Sequence, residues 1–234
     1  MLYIPGKTPH NLPYDPFKAC IVPRPIGWIS TTSPHQHEPP IHNLAPFSQF
    51  APLTFDPPYI MFSANQTPSG TRKDTVINAE STGKFVWNLA TYPLRHAVNI
   101  TAEQVPYEID EFERAGLEKD FSRLLPGDET NPVPMVKASP VRFECVYHST
   151  MRLPGNGEAK TGMGTVDVVI GRVVGVHIAD WAVGEKGRLD VKRTRPIARC
   201  GYYEYAVVGG EGQVFEMVIP GGDEATLAGL EGST

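Results

Sequence analysis

The stretch Pro23–Ser48, PRPIGWISTTSPHQHEPPIHNLAPFS, decides the fold. It reads as a hairpin, with a strand at Ile26–Thr32 and a return at Ile41–Ser48. Ser33, Pro34, Pro39 and Pro40 punctuate the turn between two runs that can each be extended. The two strands set small hydrogen-bonding side chains (Ser30, Thr31, Thr32, Asn43, Ser48) beside Trp28 and Phe47. A flat aromatic ligand with polar edges needs that mixture of apolar walls and a few placed donors and acceptors. The same residue types are also ordinary strand material, so the hairpin alone does not define a site.

Outward from the hairpin the chain is strand-rich. Tyr59–Ala64, Phe85–Ala90, Val141–Met151, Thr165–Ala179 and Tyr202–Val208 are the further strands expected. Within TVDVVIGRVVGVHIA, Gly171 and Gly175 mark bends or bulges of the kind found at barrel corners. Helices are expected at Asp74–Thr82, closed by Gly83, at Leu94–Glu103 and at Asp110–Ala115, ending at Gly116. Dispersed strands with glycine bends favour a closed or partly closed antiparallel barrel. Pro126, Pro132, Pro134 and Pro140 exclude a helix from the segment between them, read as an extended surface loop.

The 234 residues, 41% hydrophobic and 20% charged, suit one globular domain spanning 1–234. A peripheral segment over about 1–18 and a tail over about 209–234, with VFEMVI as a candidate last strand, flank it. The 23 prolines and 22 glycines are spread as punctuation, with no interdomain linker among them. A net charge of −5 and no basic block argue against nucleic acid. No apolar run approaches bilayer length, and the first residues lack the pattern of a secretory signal. Three widely separated cysteines, Cys20, Cys145 and Cys200, read as buried structural thiols in a cytoplasmic protein. Cys200 stands out because Arg199 and Arg195 lie close by in sequence.

Gln66–Val76, QTPSGTRKDTV, is the second chemical feature. A Pro/Ser/Gly turn leads to Arg72 and Lys73 and then straight into a helix, whose first N–H groups and positive dipole end favour an anion. With the Thr75 hydroxyl these residues can cradle a phosphate. The competing reading is a plain cap, with Asp74 as N-cap and two solvated cations. Histidines His35, His37 and His42 form a third feature, H-x-H-x4-H; a metal site is the rival reading, but a Pro-rich turn with no nearby Cys and only Glu38 as a carboxylate reads as solvated turn histidines and no metal. Asp110, Glu111 and Glu113 read as a solvated helix face, and His177 as a core histidine.

VPRPIGWIST, HNLAPFS, DPPYIMFS and RKDTVINAESTGKFVWNLA, in that order from Val22 to Ala90, resemble the flavin reductase-like family of FMN-binding split-barrel proteins. DEFERAGL, FEC, GRVVGVHIAD and RPIARCGYYEY extend the resemblance more loosely over most of the chain. The resemblance implies a mostly β split barrel with a few helices, a homodimer, and one FMN per subunit near the interface. By matching motif, Trp28, Ser30 and Thr31 would line the flavin from the first strand. Asn43, Ala45, Pro46, Phe47 and Ser48 would contact the ring and ribityl chain, and Ser63 would sit near the ribityl or phosphate. Arg72, Lys73, Asp74 and Thr75 would hold the phosphate region. Two departures stand out. HQHEPPIH replaces the family's short Asp-Gly turn, and RCGYYEY does not reproduce the late segment that some two-component reductases place near the nicotinamide. The function implied is an FMN-dependent oxidoreductase, taking reducing equivalents from NAD(P)H to free flavin, a small acceptor or a partner monooxygenase. An FMN-binding electron carrier without a nicotinamide site is the alternative.

Overall fold

A computed structural model describes residues 1–5, 7–34, 39–155, 164–185, 187–210 and 212–215. Chain order begins with β1 (Arg24–Pro25), β2 (Gly27–Thr32), β3 (His42–Phe47), β4 (Phe50–Phe55) and β5 (Pro58–Asn65). Helix α1 (Asp74–Thr82) leads to β6 (Lys84–Asn88), α2 (Arg95–Ile100) and α3 (Glu111–Arg114). Then come β7 (Lys119–Phe121), β8 (Pro134–Val136), β9 (Val141–Leu153), β10 (Val166–Ile178), α4 (Val191–Thr194), β11 (Ile197–Arg199) and β12 (Tyr205–Val207). Seven strands form one antiparallel sheet in the order β3-β2-β6-β9-β10-β5-β4. The chain is therefore a mostly β split barrel with a few helices, as the resemblance implies.

The decisive hairpin forms as read, with β2 and β3 in register from Gly27↔Phe47 to Thr32↔His42. Strand β2 is buried on both faces. Ile29 enters the barrel interior with Phe47, Phe50, Phe62, Phe85 and Trp87. Trp28 faces the other way, into a second core with Leu44, Val98, Phe112 and Val136. Alternation of side chains along a strand makes this two-sided burial possible. The sheet curls until its ends meet: the Phe47 and Phe62 rings lie 4.9 Å apart, and Phe50 stacks on Trp87 at 5.4 Å. Ring pairs at such distances add to the area they bury.

The two long strands carry the bends expected. Pairing of β9 and β10 shifts register between Ile170 and Gly171 and again between Val173 and Gly175. A Cβ on Gly171 would lie 2.3 Å from Phe85 Cζ, so this bend lets the ring fill the barrel. Helix α1 occupies the residues expected and closes on Gly83 at φ 72°.

Four readings change. The Pro126–Pro140 segment is not a surface loop, because it holds β8, whose three residues are all buried. Val133 and Met135 pack under Val86 and Leu125, and Asn88 Oδ1 accepts the Val136 N–H at 2.8 Å. The prolines exclude helix but leave the chain free to extend. Strand β4, an additional partner for β5, was not expected. Cys20 is exposed and Cys200 half-buried, leaving Cys145 as the buried thiol. Burial pushes the Cys145 thiol up and keeps it neutral. The residue before α1 is Lys73, not Asp74, and no side chain caps the helix. Among the described residues no helix is long and apolar enough to cross a membrane.

Candidate functional site

Strand β3, the N-terminus of α1 and the segment after α2 enclose a cleft of about 310 Å³. Asn43, Ala45, Pro46 and Phe47 form one wall, Thr67 and Thr71 to Thr75 another, and Thr101 to Val105 with Tyr107 and Glu111 a third. Eight residues expected at a ligand site meet here: Asn43, Ala45, Pro46, Phe47, Arg72, Lys73, Asp74 and Thr75. Ser48 lies on a neighbouring cleft. Trp28, Ser30 and Thr31 are fully buried. Trp28 Nε1 donates to Thr101 Oγ1 at 2.9 Å, so it braces a residue of the third wall. Ser30 donates to the Pro134 carbonyl at 2.5 Å. Half-buried Ser63 lies on β5, where its N–H donates to the Gln49 carbonyl at 2.8 Å.

At the phosphate-type corner, α1 starts without a side-chain cap, and Lys73, Asp74 and Thr75 at its start line the cleft. Lys73 is half-buried there, and burial lowers its pKa despite the neighbouring Asp74. Burial also raises the Asp74 pKa. Each charge is thus under-solvated, and an arriving anion would re-stabilise the lysine. Thr67, Ser69 and Thr71 add a knot of hydroxyls, with Thr67 Oγ1 to Thr71 Oγ1 at 2.6 Å. Arg72 is held elsewhere. Its guanidinium forks onto Glu80 at 2.6 and 2.7 Å, and its Nε donates to buried Asp167 at 3.1 Å. These carboxylates keep Arg72 firmly charged and offset most of that charge locally.

The floor is a polar network centred on Asn43, which is 7% exposed. Its Oδ1 accepts from Thr75 at 2.6 Å and from Thr31 at 3.3 Å. Its Nδ2 donates to Glu111 Oε1 at 3.0 Å, and the Leu44 N–H donates to Glu111 Oε2 at 3.1 Å. Glu111 is not on a solvated face. It is buried, and burial raises its pKa to about 7 against the pull of the Leu44 and Asn43 donors. Asp110 caps α3 through the Phe112 and Glu113 N–H groups and binds Lys119. No sequence signal distinguished Glu111 from Glu113, since both sit in the first turn of a short helix where acids are favoured.

His42 Nδ1 lies 3.5 Å from Asp110 Oδ2, and the other two members of the histidine set, His35 and His37, fall outside the described residues. His177 is satisfied, as expected, by buried Glu144 at 2.6 Å, but it is half-buried and not a core residue.

The antiparallel split barrel thus sets the N-terminus of α1 beside an apolar strand wall in one cleft. Residues 19–193 match the model of the flavin reductase like domain, and the chain belongs to that family. It is 33% identical over 200 residues to an uncharacterized protein of Halalkalibacterium halodurans, covering 86% of this chain and 87% of the relative. Its structure is similar to that of nitrilotriacetate monooxygenase component B from Bacillus cereus, with TM-score 0.77, 31% identity, and 93% and 98% of the two chains covered. A split barrel domain structure from Shewanella frigidimarina matches with TM-score 0.67 at 19% identity, covering 87% and 89%, a likeness of fold.

Proposed function

We propose that this chain binds FMN in the cleft between β3 and α1 and acts as a flavin reductase-like oxidoreductase. The observation that carries the reading is the coincidence of an uncapped α1 N-terminus, a half-buried lysine and the apolar Ala45–Phe47 wall in one cleft of a flavin reductase-like barrel. Lys73 and the first N–H groups of α1 would hold the phosphate, with Thr75 and the Thr67–Thr71 hydroxyls around it. Ala45, Pro46 and Phe47 would bear on the ring. Asn43 would offer its amide where the Thr75 and Glu111 bonds fix it. Trp28 and Thr31 would act from behind, by holding Thr101 and Asn43 in place, while Ser30 braces the Pro134 carbonyl and Asn88.

Bound flavin supplies hydride and electron transfer, and the chain's part is to bind, orient and shield it. Reducing equivalents would come from NAD(P)H and leave to free flavin or a small acceptor. The likeness to a monooxygenase component B supports a partner monooxygenase as one such consumer. A homodimer with FMN near the interface fits the family.

Gel filtration after incubation with FMN, followed by the visible spectrum, tests the reading. Retained flavin bands that bleach anaerobically with NADH or NADPH are the expected result. Retention without bleaching would leave an electron carrier. A protein that neither retains FMN nor reduces free flavin with NAD(P)H would overturn the proposal.

A further inference from the structure

A second cleft of about 310 Å³ shares Pro46 and Ala102 with the first, so the two are neighbours across one wall. Its remaining lining comes mainly from the two ends of the chain: Asp15, Lys18 and Arg24 on one side, Arg199, Tyr202 and Tyr205 on the other. Three of these six are joined through β1 and β11, where Arg24 pairs with Arg199, and through β11 and β12, where Arg199 pairs with Tyr205. Tyr202 completes the turn between β11 and β12. Asp15, Lys18, Arg199, Tyr202 and Tyr205 all lie outside the stretch matched by the family model. The rest of the lining, Arg24, Ile26, Pro46, Ser48 and Ala102, lies within it.

Its charge is unbalanced, with three cations against the one carboxylate of Asp15. That carboxylate accepts the Phe17 N–H at 2.9 Å. Neither Lys18 nor Arg24 nor Arg199 forms an ion pair among the described residues. Arg24 spends its terminal nitrogens on the Lys18, Ile21 and Cys200 carbonyls, and its Nε is buried with no partner. Arg199 donates to the Tyr205 hydroxyl at 2.6 Å and to the Tyr202 carbonyl, with its guanidinium 4.6 Å above the Tyr205 ring. Carbonyls and hydroxyls orient these cations without neutralising them, so an anion entering the cleft gains their field. Ile26, Pro46, Ala102 and the tyrosine rings supply a flat apolar surround.

We infer that this second cleft is a binding subsite for a small planar organic anion, of the aromatic carboxylate class, set beside the flavin cleft. Arg199 and Lys18 receive the carboxylate, and Tyr202 and Tyr205 flank the ring. The inference deepens the flavin reading by naming what would lie next to the cofactor, yet its recognition chemistry belongs to the chain alone.

Benzoate and benzamide, which share a ring and differ in charge, are the probes for calorimetric titration of the full chain, with and without added FMN. Benzoate should bind at least about 10-fold more tightly than benzamide, and more weakly as salt is raised. Lys18→Gln should weaken benzoate about 3-fold or more, and Arg199→Gln about 10-fold or more. Lys18 is exposed and its ammonium holds nothing in the fold, so its variant keeps the test valid if Arg199→Gln disturbs the β11–β12 turn. Absence of benzoate binding, equal binding of benzamide, or indifference to Lys18→Gln would overturn the inference. FMN retention is scored separately by the spectrum. Benzoate binding by a protein that neither retains FMN nor reduces free flavin with NAD(P)H would sink the flavin reading and keep the cleft. FMN retention without benzoate binding would do the reverse.

Discussion

At the scale of single residues, Lys73 and Glu111 carry the charge logic of the first cleft. Lys73 has its pKa lowered by burial, with Asp74 as the opposing influence. A phosphate would replace the water it has lost, so Lys73→Met should weaken FMN binding about 10- to 100-fold with the fold intact, measured by fluorescence quenching of FMN. An unchanged affinity would move the anion elsewhere. Glu111 sits at about 7 in the fold against an ordinary 4.5. A carboxyl whose folded pKa is raised is more readily protonated in the fold than in the unfolded chain. Its contribution to stability is full below about 4.5 and is lost as pH rises through about 7. Between those limits the wild type should lose on the order of 3 kcal/mol relative to Glu111→Gln, followed by urea denaturation at several pH values. Parallel pH profiles for the two proteins would reject the assignment. Asp110, Glu111 and Glu113 look alike in DEFERA, and only their neighbours separate them. Asp110 ends as a cap, Glu111 as a buried acceptor, and Glu113 stays out in solvent.

At the scale of elements, alternation and punctuation were legible, whereas burial on a second face was not. The β2–β3 hairpin, α1 and the β10 bends follow from local pattern: turn prolines, a glycine stop, and glycines within a β-branched run. The buried β8 escaped because proline reports what a backbone cannot do, and says nothing of what will cover it. Gly171 is the element-scale test. Gly171→Ala would push a methyl into the Phe85 ring, which is wholly buried. The substitution should cost about 2 kcal/mol, read from the denaturation midpoint, and a neutral result would mean that the β9–β10 bulge can absorb it. Asn88 is of the same kind. It joins three strands by donating to the Trp28 carbonyl and Ser30 Oγ while accepting from Val136, a role invisible in KFVWNLA.

At the scale of the whole molecule, ligand and assembly should report on each other. FMN bound only by the folded chain at about 100 times its dissociation constant adds about 2.7 kcal/mol, or about 5–10 °C in Tm for a domain of this size. A thermal scan with and without FMN measures this, and no shift would count against a folded-state site. The proposed homodimer predicts a sedimentation coefficient of a two-chain particle. The described surface leaves Leu53, Phe55, Met151, Leu153, Val176 and Ile178 exposed on the sheet strands, apolar area that a second copy would remove from water.

What the sequence determined by itself was whatever depends on near neighbours along the chain. Its strand hairpin, its helix and stop, its bend positions and its family motifs are all written within short windows. The tertiary structure alone decided which of those residues face a cleft. Trp28 and Ser30 lie on β2, the strand paired with the β3 wall, and stay buried out of the cleft, while Glu111 and Tyr107 arrive from a distant segment to line it. It alone also drew Lys18 and Arg199, near opposite ends of the chain, to one cleft. Burial and ion balance are sums over everything that packs around a group, and sequence spacing does not carry that sum.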